Sequence, residues 1–503
     1  MLTLLCVPLG GLAITIGLRS VGLRWTWAVA GLVVLWPLKP LAGACALAVV
    51  LGARWQRADL SDGGDLARHA EARRGPLDVL RAALERRRPL LDRSGLSIGV
   101  AADGAPVRIP LGRQSGTHTL IVGATGSGKT VTEAWILARA IDHGHGAVII
   151  DPKGDDLLRD ETRTAALRAG RAFIEWTPTG PSVYNPYAHG SDSEIVDKAL
   201  AAESYSEPHY LRQAQRYLAH AVRTLRAAGI TPSPARLVEV MDPRALELLA
   251  RRVPDEGQAR PVWRYLDGLD PRQRAGLAGT RDRLAILAES DVGRWLDPAD
   301  AGDGVPVLDL LEAIRWRAVV YFRLDADRLP LIARMLAAAI VQDLLTVAAV
   351  LQDDPVPTLV AVDEFSAIAA DGVARLFGRG RSAGFGLLLA TQELADLGSG
   401  ARRPSPAGSG ALLEQVLGNV ATVIAHRQGV PESAELIASI GASRPVWLST
   451  QSVEGHAATA KGSRSRGREF LIHPDEIKSL ATGTAAVIVP DTGRATLARI
   501  FHP

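Results

Sequence analysis

Short apolar runs alternate with amphipathic stretches over most of this chain, from about residue 95 onward. The apolar runs are His118–Val122, the "AVII" that precedes Asp151, and stretches within 318–324, 358–365 and 384–392. Segments with helical spacing of apolar residues separate these runs. Strands that alternate with helices form mostly parallel sheets covered on both faces, so the pattern predicts an α/β fold.

The region between residues 190 and 300 departs from this alternation. Apolar residues recur there at helical spacing, and a glycine then ends the pattern. These residues are Leu211, Ala214, Leu218, Val222, Leu225 and Gly229. Because further helical segments follow, we predict an all-α insertion within the α/β protein. Ahead of the sheet, Asp103-Gly104 predicts a hairpin of two short strands.

Two apolar segments at the N-terminus predict a membrane anchor. Leu2–Leu18 carries no charge, and Trp25–Leu51 is interrupted only by Lys39. Both are long enough for a transmembrane helix, and tryptophans lie near their ends. The alternative is a cleaved signal peptide followed by a buried core helix. It is less favoured because no positive charge precedes the first run. We therefore predict a two-helix hairpin in the cell (inner or plasma) membrane.

The residues after the anchor predict its orientation and the domain boundaries. Residues 54–94 are helical in pattern and rich in arginine, which favours a cytoplasmic location for everything that follows. This linker is either a solvated helix or a contact with anionic headgroups, and the pattern favours the first. The predicted units are the anchor 1–53, the juxtamembrane helical linker 54–94, the α/β domain 95–190 with 301–503, and the all-α insertion 191–300.

Composition excludes several classes of protein. The 503 residues carry a net charge of +3, which does not predict a basic surface over the whole protein. Any contact with a polyanion must therefore be local. The two cysteines, Cys6 and Cys45, lie in the apolar N-terminus, which excludes a disulfide framework or a cysteine-ligated zinc. The histidines show no metal-ligand spacing, so we predict no histidine-ligated metal.

The segment "GATGSGKT" after the first apolar run matches the phosphate-binding P-loop pattern and has the required strand before it and helix after it. Its glycines let backbone N–H groups face phosphate oxygens. Lys129 is predicted to reach the β- and γ-phosphates, and Thr130 to bind Mg²⁺. The predicted ATP-binding residues are Gly123, Ala124, Thr125, Gly126, Ser127, Gly128, Lys129 and Thr130.

Polar residues at the ends of two later strands complete a hydrolytic site. Asp363 is predicted to bind Mg²⁺, and Glu364 to take a proton from the attacking water. Gln392, after the next strand, is predicted to orient the water or sense the γ-phosphate. The alternative for each is an ordinary polar residue at a strand end.

Three cationic residues are further candidates. Arg379 and Arg381 lie between the acidic strand and the Gln392 strand, and a guanidinium can stabilise charge on a transferred phosphoryl group, including that of a neighbouring subunit. Lys153, in "DPKGD", is predicted to neutralise phosphate or hold a subunit contact. Ordinary surface positions remain the alternative for all three.

The ordered set of motifs resembles the membrane-anchored coupling proteins of type IV secretion and conjugation, within the FtsK–HerA superfamily. The motifs are "LIVGATGSGKT", "VIIDPKGD", "YNPYAHG", "VAVDEF", "RGRSAGFGLLLATQ", "LGNVATVIAHR", "SAELIASIGA" and "REFLIHPDEIKSL". The resemblance covers roughly residues 95–490. It implies a RecA-like P-loop ATPase motor that is hexameric when active and that moves DNA through its ring toward a secretion channel.

The same resemblance implies the partners and leaves alternatives open. The partners are DNA, the membrane, further copies of the chain, a relaxase and channel proteins. Either Arg379 or Arg381 would act in trans. We expect no winged-helix tail of the FtsK kind, because the chain ends at Pro503. The alternatives are an FtsK-like pump for double-stranded DNA that needs no channel, and a non-hydrolysing membrane scaffold.

Two arginine-bearing stretches are candidate DNA contacts. They are "GSGARRPSPAGSG" at 398–410 and "AKGSRSRGRE" at 460–469, both rich in glycine and serine. We predict two mobile loops in which Arg402, Arg403, Arg464 and Arg466 grip phosphates. Two surface loops without this role are the alternative.

Overall fold

One large sheet carries most of the fold, and the computed structural model describes it with the helices around it. The described residues are 2–20, 27–61, 91–92, 95–102, 104–112, 116–203, 205, 207–300, 302, 304–368, 370–394, 397, 410–454 and 457–503. The strands are β1 Leu91–Asp92, β2 Gly95–Ala101, β3 Pro106–Ile109, β4 Thr119–Val122, β5 Gly146–Asp151, β6 Phe173–Trp176, β7 Val183–Tyr184, β8 Val307–Leu308, β9 Val319–Arg323, β10 Thr358–Val362, β11 Phe385–Thr391, β12 Thr422–Ala425, β13 Ser443–Glu454, β14 Ala457–Phe470, β15 Thr484–Val489 and β16 Arg494–Ile500.

The helices surround this sheet, form the insertion or lie at the N-terminus. They are α1 Leu2–Ser20, α2 Trp27–Val34, α3 Lys39–Ser61, α4 Lys129–Asp142, α5 Asp156–Arg168, α6 Asp192–Leu200, α7 Pro208–Ala227, α8 Pro234–Val240, α9 Pro243–Ala250, α10 Glu256–Asp267, α11 Pro271–Ala288, α12 Leu310–Arg315, α13 Pro330–Val350, α14 Phe365–Ile368, α15 Ala370–Ser382, α16 Gly410–Leu417, α17 Pro431–Ile440 and α18 Pro474–Lys478.

The main sheet has 12 strands in the order β1-β2-β16-β15-β12-β4-β11-β10-β5-β9-β6, with β3 beside β2. From β12 to β6 every neighbouring pair is parallel, and from β15 to β1 every pair is antiparallel. The predicted, mostly parallel α/β sheet is therefore confirmed. The β2–β3 hairpin is confirmed as well, although Asp103 lies outside the described residues.

Both faces of the sheet are covered, because successive residues of each buried strand pack into different cores. In β5, Val148 belongs to the core under α13 and α15, whereas Ile149 belongs to the core under α4 and α5. Full burial explains why these strands read as continuous apolar runs.

Helix α13 is the described helix that is long and apolar enough to cross a membrane, and it is mostly buried inside the fold. It lies against the sheet with Leu336, Ile340 and Leu344 fully buried. The described part of α1 contains only a shorter apolar stretch, Val7–Leu18.

Helices α6 to α11 lie between β7 and β8 and share a core of their own. The residues with predicted helical spacing are in it: Ala214, Leu218, Val222 and Leu225 are buried, and Leu211 packs at its edge. The residue limits given above for the domains remain predictions.

The second N-terminal segment forms two helices, not the single helix that the sequence predicts. Helix α2 ends at Val34, and α3 begins at Lys39. Pro37 lies in the break, and a proline lacks the N–H that a continuous helix needs. Lys39 is therefore at a helix end instead of the middle of a span. Most of the predicted linker, 62–90, lies outside the described residues.

The prediction of a loop at 460–469 is wrong, because this stretch belongs to β14. β13 and β14 form a separate antiparallel hairpin, in register from Ser443↔Phe470 to Glu454↔Ala457. Its serines and glycines led us to expect a loop. Most of the other predicted loop, including Arg402 and Arg403, lies outside the described residues.

Candidate active site

The P-loop lies between β4 and α4, as predicted. Gly126 and Gly128 have φ angles of 73° and 106°, in the left-handed region that favours glycine. Lys129 and Thr130 open α4, and among the described residues no side chain caps its first N–H groups. These N–H groups can therefore face an anion.

Segments far along the chain hold the loop from the side of β12 and β15. The N–H of Ala124 donates to the carbonyl of Arg427 at 3.1 Å, and the N–H of Gly483 donates to the carbonyl of Ser127 at 3.1 Å. The loop is thus fixed by backbone hydrogen bonds at both ends, which presents its N–H groups in a set orientation.

His426 follows β12 and packs directly beneath the loop, and no sequence motif predicts a role for it. A Cβ at Gly123 would lie 2.8 Å from the Cβ of His426, so only glycine fits there. Nδ1 donates to the carbonyl of Thr484 at 3.2 Å, which leaves Nε2 to accept from the Thr132 hydroxyl at 2.8 Å. Burial lowers the pKa of His426 to about 4, with a smaller contribution from the charge of Lys129. The ring is therefore neutral beside the phosphate site.

The predicted general base Glu364 meets Lys129, Lys153 and Gln392 at one edge of the sheet. Strands β4, β11, β10 and β5 are parallel neighbours, so their carboxyl ends share that edge. Glu364 Oε1 accepts three hydrogen bonds there, from Lys129 Nζ at 2.8 Å, Lys153 Nζ at 2.7 Å and Gln392 Nε2 at 3.0 Å. Lys129 Nζ also lies 3.2 Å from Asp363 Oδ1.

The two neighbouring acids differ in their pKa values. Burial would raise the pKa of Glu364, but hydrogen bonds from Lys129 and Lys153 outweigh it, and the pKa lies below its ordinary value. Burial raises the pKa of Asp363, and the charge of Lys129 only partly opposes it. Glu364 is therefore ionised at neutral pH, which a general base requires.

Asp151 explains how Lys153 reaches the site. Its Oδ1 accepts from the N–H groups of Lys153 and Gly154 at 2.8 Å each, and its Oδ2 accepts from the N–H of Asp155 at 2.7 Å. The Tyr321 hydroxyl also donates to Oδ2. This fully buried carboxylate folds "DPKGD" into a turn that aims Lys153 at Glu364. From the sequence, Asp151 is predicted only to end a strand.

Glu133 is a further residue for which no sequence motif predicts a role. It follows Lys129 by one helical turn on α4 and is 1% exposed, and within the described residues neither carboxyl oxygen has a hydrogen-bond partner. Burial, with the nearby charge of Asp363, raises the pKa of Glu133 well above its ordinary value. The uncharged form of Glu133 is therefore favoured close to Asp363, the predicted magnesium ligand.

The structure does not bring Arg379 or Arg381 to this site. Both are exposed near the end of α15, where the chain turns into the amino end of β11. Arg381 Nε donates to the carbonyl of Gly116, which precedes β4, at 3.3 Å. Both arginines therefore lie at the edge of the sheet opposite the P-loop.

The residues present fit ATP and Mg²⁺. The uncapped start of α4 and the left-handed glycines suit phosphate, and a Cβ at Gly126 would meet no atom within 4 Å. A threonine hydroxyl and a carboxylate are the hard oxygen ligands that Mg²⁺ prefers. Thr130 and Asp363 would hold the metal, and Lys129 would hold the phosphates.

Residues 96–167, which include the P-loop, match the family model of the helicase HerA central domain. Among curated proteins, none matches the chain. The bacterial conjugative coupling protein TrwB, solved with the non-hydrolysable ATP analogue ADPNP, superposes with a TM-score of 0.58 at 16% identity, over 84% of this chain and 92% of that one. The chain has the fold of TrwB. The TrwB structure with ADP and Mg²⁺ gives a TM-score of 0.57.

VirB4 of Thermoanaerobacter pseudethanolicus has a similar fold, with a TM-score of 0.51 at 16% identity, over 82% of this chain and 98% of that one. The resemblance drawn from the motifs is confirmed at the level of the HerA-type domain and of the TrwB-like fold. At these identities the superpositions establish the fold, and the roles of individual residues stay predictions.

Glu364→Gln is expected to bind ATP but to hydrolyse it at least about a hundredfold more slowly, because the amide cannot take a proton from water. Lys129→Ala should lose hydrolysis and most of the affinity for phosphate. Phosphate release and nucleotide binding measure the two effects, with Glu239→Gln on the surface of α8 as the control. Wild-type turnover by Glu364→Gln would show that another residue is the base.

Lys153→Met is expected to shift the acidic limb of the pH–rate profile toward higher pH. The hydrogen bond from Lys153 lowers the pKa of Glu364, so removing it raises that pKa and protonates the base at a higher pH. Lys153→Arg, which keeps the charge, should restore most of the wild-type profile. A profile of unchanged shape in Lys153→Met would show that this lysine does not act on the base.

Proposed function

We propose that this chain is a membrane-anchored, ATP-driven DNA translocase. It would act as a coupling protein that feeds DNA, or a DNA–protein complex, to a conjugation or type IV secretion channel. The observation that carries the proposal is the convergence of Lys129, Lys153 and Gln392 on Glu364, which is the arrangement of a hydrolytic P-loop site. The TrwB-like fold supports it, since TrwB is described as a conjugative coupling protein.

Each residue at the sheet edge has one task in hydrolysis. ATP would supply the phosphoryl group that is transferred, and Mg²⁺ would neutralise part of its charge. Lys129 positions the phosphates, and Thr130 and Asp363 hold the metal. Glu364 takes the proton of the attacking water, and Gln392, 3.0 Å from Glu364, orients that water. A scaffold without hydrolysis would not need an ionised Glu364 in this place.

The position of the arginines supports a ring. β11 runs from Phe385 to Thr391, so about 20 Å of strand separates the arginine edge from the P-loop edge. Neither Arg379 nor Arg381 can span that distance to its own site. In a ring of identical subunits, the arginine edge of one subunit can face the P-loop edge of the next. The active form would be a homo-oligomer, by resemblance a hexamer.

The packing of the N-terminal helices supports the anchor. They approach each other through small residues: a Cβ at Gly10 would lie 3.2 Å from Ala44, and one at Gly31 would lie 3.0 Å from Cys45 Sγ. Close contact through small residues is typical of transmembrane helices. Large apolar side chains instead point outward, as those of a lipid-facing surface do. They include Leu9, Leu12, Ile16, Val33, Val34, Trp36 and Leu41.

This packing supports a different location and task for each part of the chain. The helices α1 to α3 would anchor the protein in the cell membrane, and the RecA-like domain would work in the cytoplasm, where ATP is available. The all-α insertion, 191–300, would lie on the motor. A relaxase and channel proteins would be the further partners.

Mixing two inactive variants tests the ring. A subunit with Arg379→Ala or Arg381→Ala keeps its own Glu364, and a Glu364→Gln subunit keeps its arginines. An interface that joins the P-loop of the first to the arginine of the second is complete, so mixed assemblies should recover part of the ATPase activity. No recovery at any ratio, with assembly confirmed by light scattering, would argue that the arginine does not act in trans.

DNA-stimulated ATP hydrolysis tests the DNA translocase, and the salt dependence of binding tests the predicted contacts. Arg402, Arg403, Arg464 and Arg466 changed together to glutamine should weaken DNA binding whatever its sequence. The slope of log affinity against log salt should become shallower by about 0.7–0.9 for each phosphate that the variant no longer neutralises. An unchanged slope would place the DNA path elsewhere. Wild-type protein that neither binds DNA nor responds to it would contradict the function itself.

A further inference from the structure

The hairpin β13–β14 is a part of the structure that the ATPase site does not use. It forms its own two-stranded sheet, apart from the 12-stranded one. β14 alone has 14 residues, about 45 Å of strand. Within the described residues, no other helix or strand makes an extended contact with it. An isolated two-stranded ribbon is marginally stable in water, so this length is expected to have a binding partner.

The charge of the hairpin indicates the chemistry of that partner. Five basic residues occur in it against two acidic ones, although the whole chain carries only +3. They are Arg444, Lys461, Arg464, Arg466 and Arg468, with Glu454 and Glu469. Arg444 and Glu469 pair with each other at 3.1 Å at the base of the hairpin. The remaining excess of positive charge favours a polyanion.

One face of the hairpin combines this charge with an aromatic ring. Trp447 is directly opposite Arg466 in the register, and the guanidinium carbon lies 5.1 Å from the centre of the indole. The indole is 53% exposed. Arg468, opposite Pro445, is also exposed and lies two residues along on the same face. A flat ring beside exposed arginines can stack with a base while the arginines pair with its phosphates.

We propose that this face of β13–β14 binds single-stranded DNA, with a base stacked on Trp447 and phosphates paired with Arg466 and its neighbours. The proposal rests on the proposed DNA translocase and adds the place in the fold that holds a separated strand and the residue that recognises its base. Bases in a duplex are stacked on each other, so an aromatic side chain on a ribbon can reach a base face only where the strands are separated.

The same chemistry would suit anionic lipid headgroups, but the face around Trp447 favours DNA. The register places Ser449 and Arg464 on one side of the Trp447–Arg466 pair, and Pro445 and Arg468 on the other side, all on the same face. The exposed Leu448 lies on the opposite face, across from Ser465. A membrane-inserting ribbon would surround the tryptophan with apolar residues. A mostly polar and basic face instead suits a backbone of sugar and phosphate that lies along the strand.

Binding by the full-length chain in detergent tests the proposal with three probes of about 30 nucleotides, a length that spans the site sizes of single-strand binding proteins. The probes are oligothymidylate, a strand of abasic residues, and a duplex. Trp447→Ala should weaken binding of oligothymidylate by about 5- to 100-fold, the range for the loss of one stacked base. It should change binding of the abasic strand and the duplex far less. Trp447→Phe, which keeps a ring, should retain most of the affinity.

Trp316→Ala is the matched control, because Trp316 is an exposed tryptophan, 79% exposed, at the end of α12. Circular dichroism checks that each variant is folded. Unchanged affinity of folded Trp447→Ala for oligothymidylate, or an equal loss on the duplex, would overturn the stacking site alone. Failure of the wild-type chain to bind any DNA would overturn both this site and the translocase. If Trp447→Ala loses binding to phosphatidylglycerol vesicles but keeps its affinity for oligothymidylate, the face binds lipid, and the proposed DNA site is overturned.

Discussion

A single carboxylate oxygen, Oε1 of Glu364, is the point on which the site depends. It accepts from Lys129, Lys153 and Gln392, which come from three different segments of the chain. A buried carboxylate is costly unless it is paired, and these donors offset that cost. Glu364 has a φ of 47°, a conformation that is unusual for a residue other than glycine. The backbone is therefore set in an unfavourable conformation to place this oxygen among its donors.

The part of the site that could be predicted from the sequence is the part that the parallel sheet imposes. Motif chemistry identifies Lys129, Asp363 and Glu364, and apolar runs identify the strands that precede or bear them. Once strands are parallel, residues after their carboxyl ends must lie at one edge, so Lys153 and Gln392 also join the group. The roles of these residues remain predictions, but their proximity follows from strand direction.

Long-range pairing explains what could not be predicted. Nothing local indicates that β12 lies beside β4, so His426 could not be placed under the P-loop. Glutamate is common on the exposed faces of helices, so nothing in the sequence of α4 indicates that Glu133 is buried. Only the packing of α4 shows its burial. The glycines and serines of β14 favour a loop, but its pairing with β13 along the whole length of the hairpin makes it a strand.

In the proposed ring, the two edges of the sheet would hold complementary halves of one reaction, with the acids at the carboxyl edge and Arg379 and Arg381 at the amino edge. The insertion is tied to the arginine side of this arrangement. Lys198 on α6 and Asp343 on α13 form a buried ion pair at 2.6 Å, and Tyr184 donates to the same carboxylate at 2.7 Å. Helix α13 also packs along α15, which carries the arginines. Breaking a buried pair leaves an uncompensated charge, so the insertion and α13 are held together strongly. Helix α13 packs in addition on α14, which begins directly after Glu364. A displacement of the insertion would therefore act on α13, and through it on both the helix that carries the arginines and the segment that carries the acids.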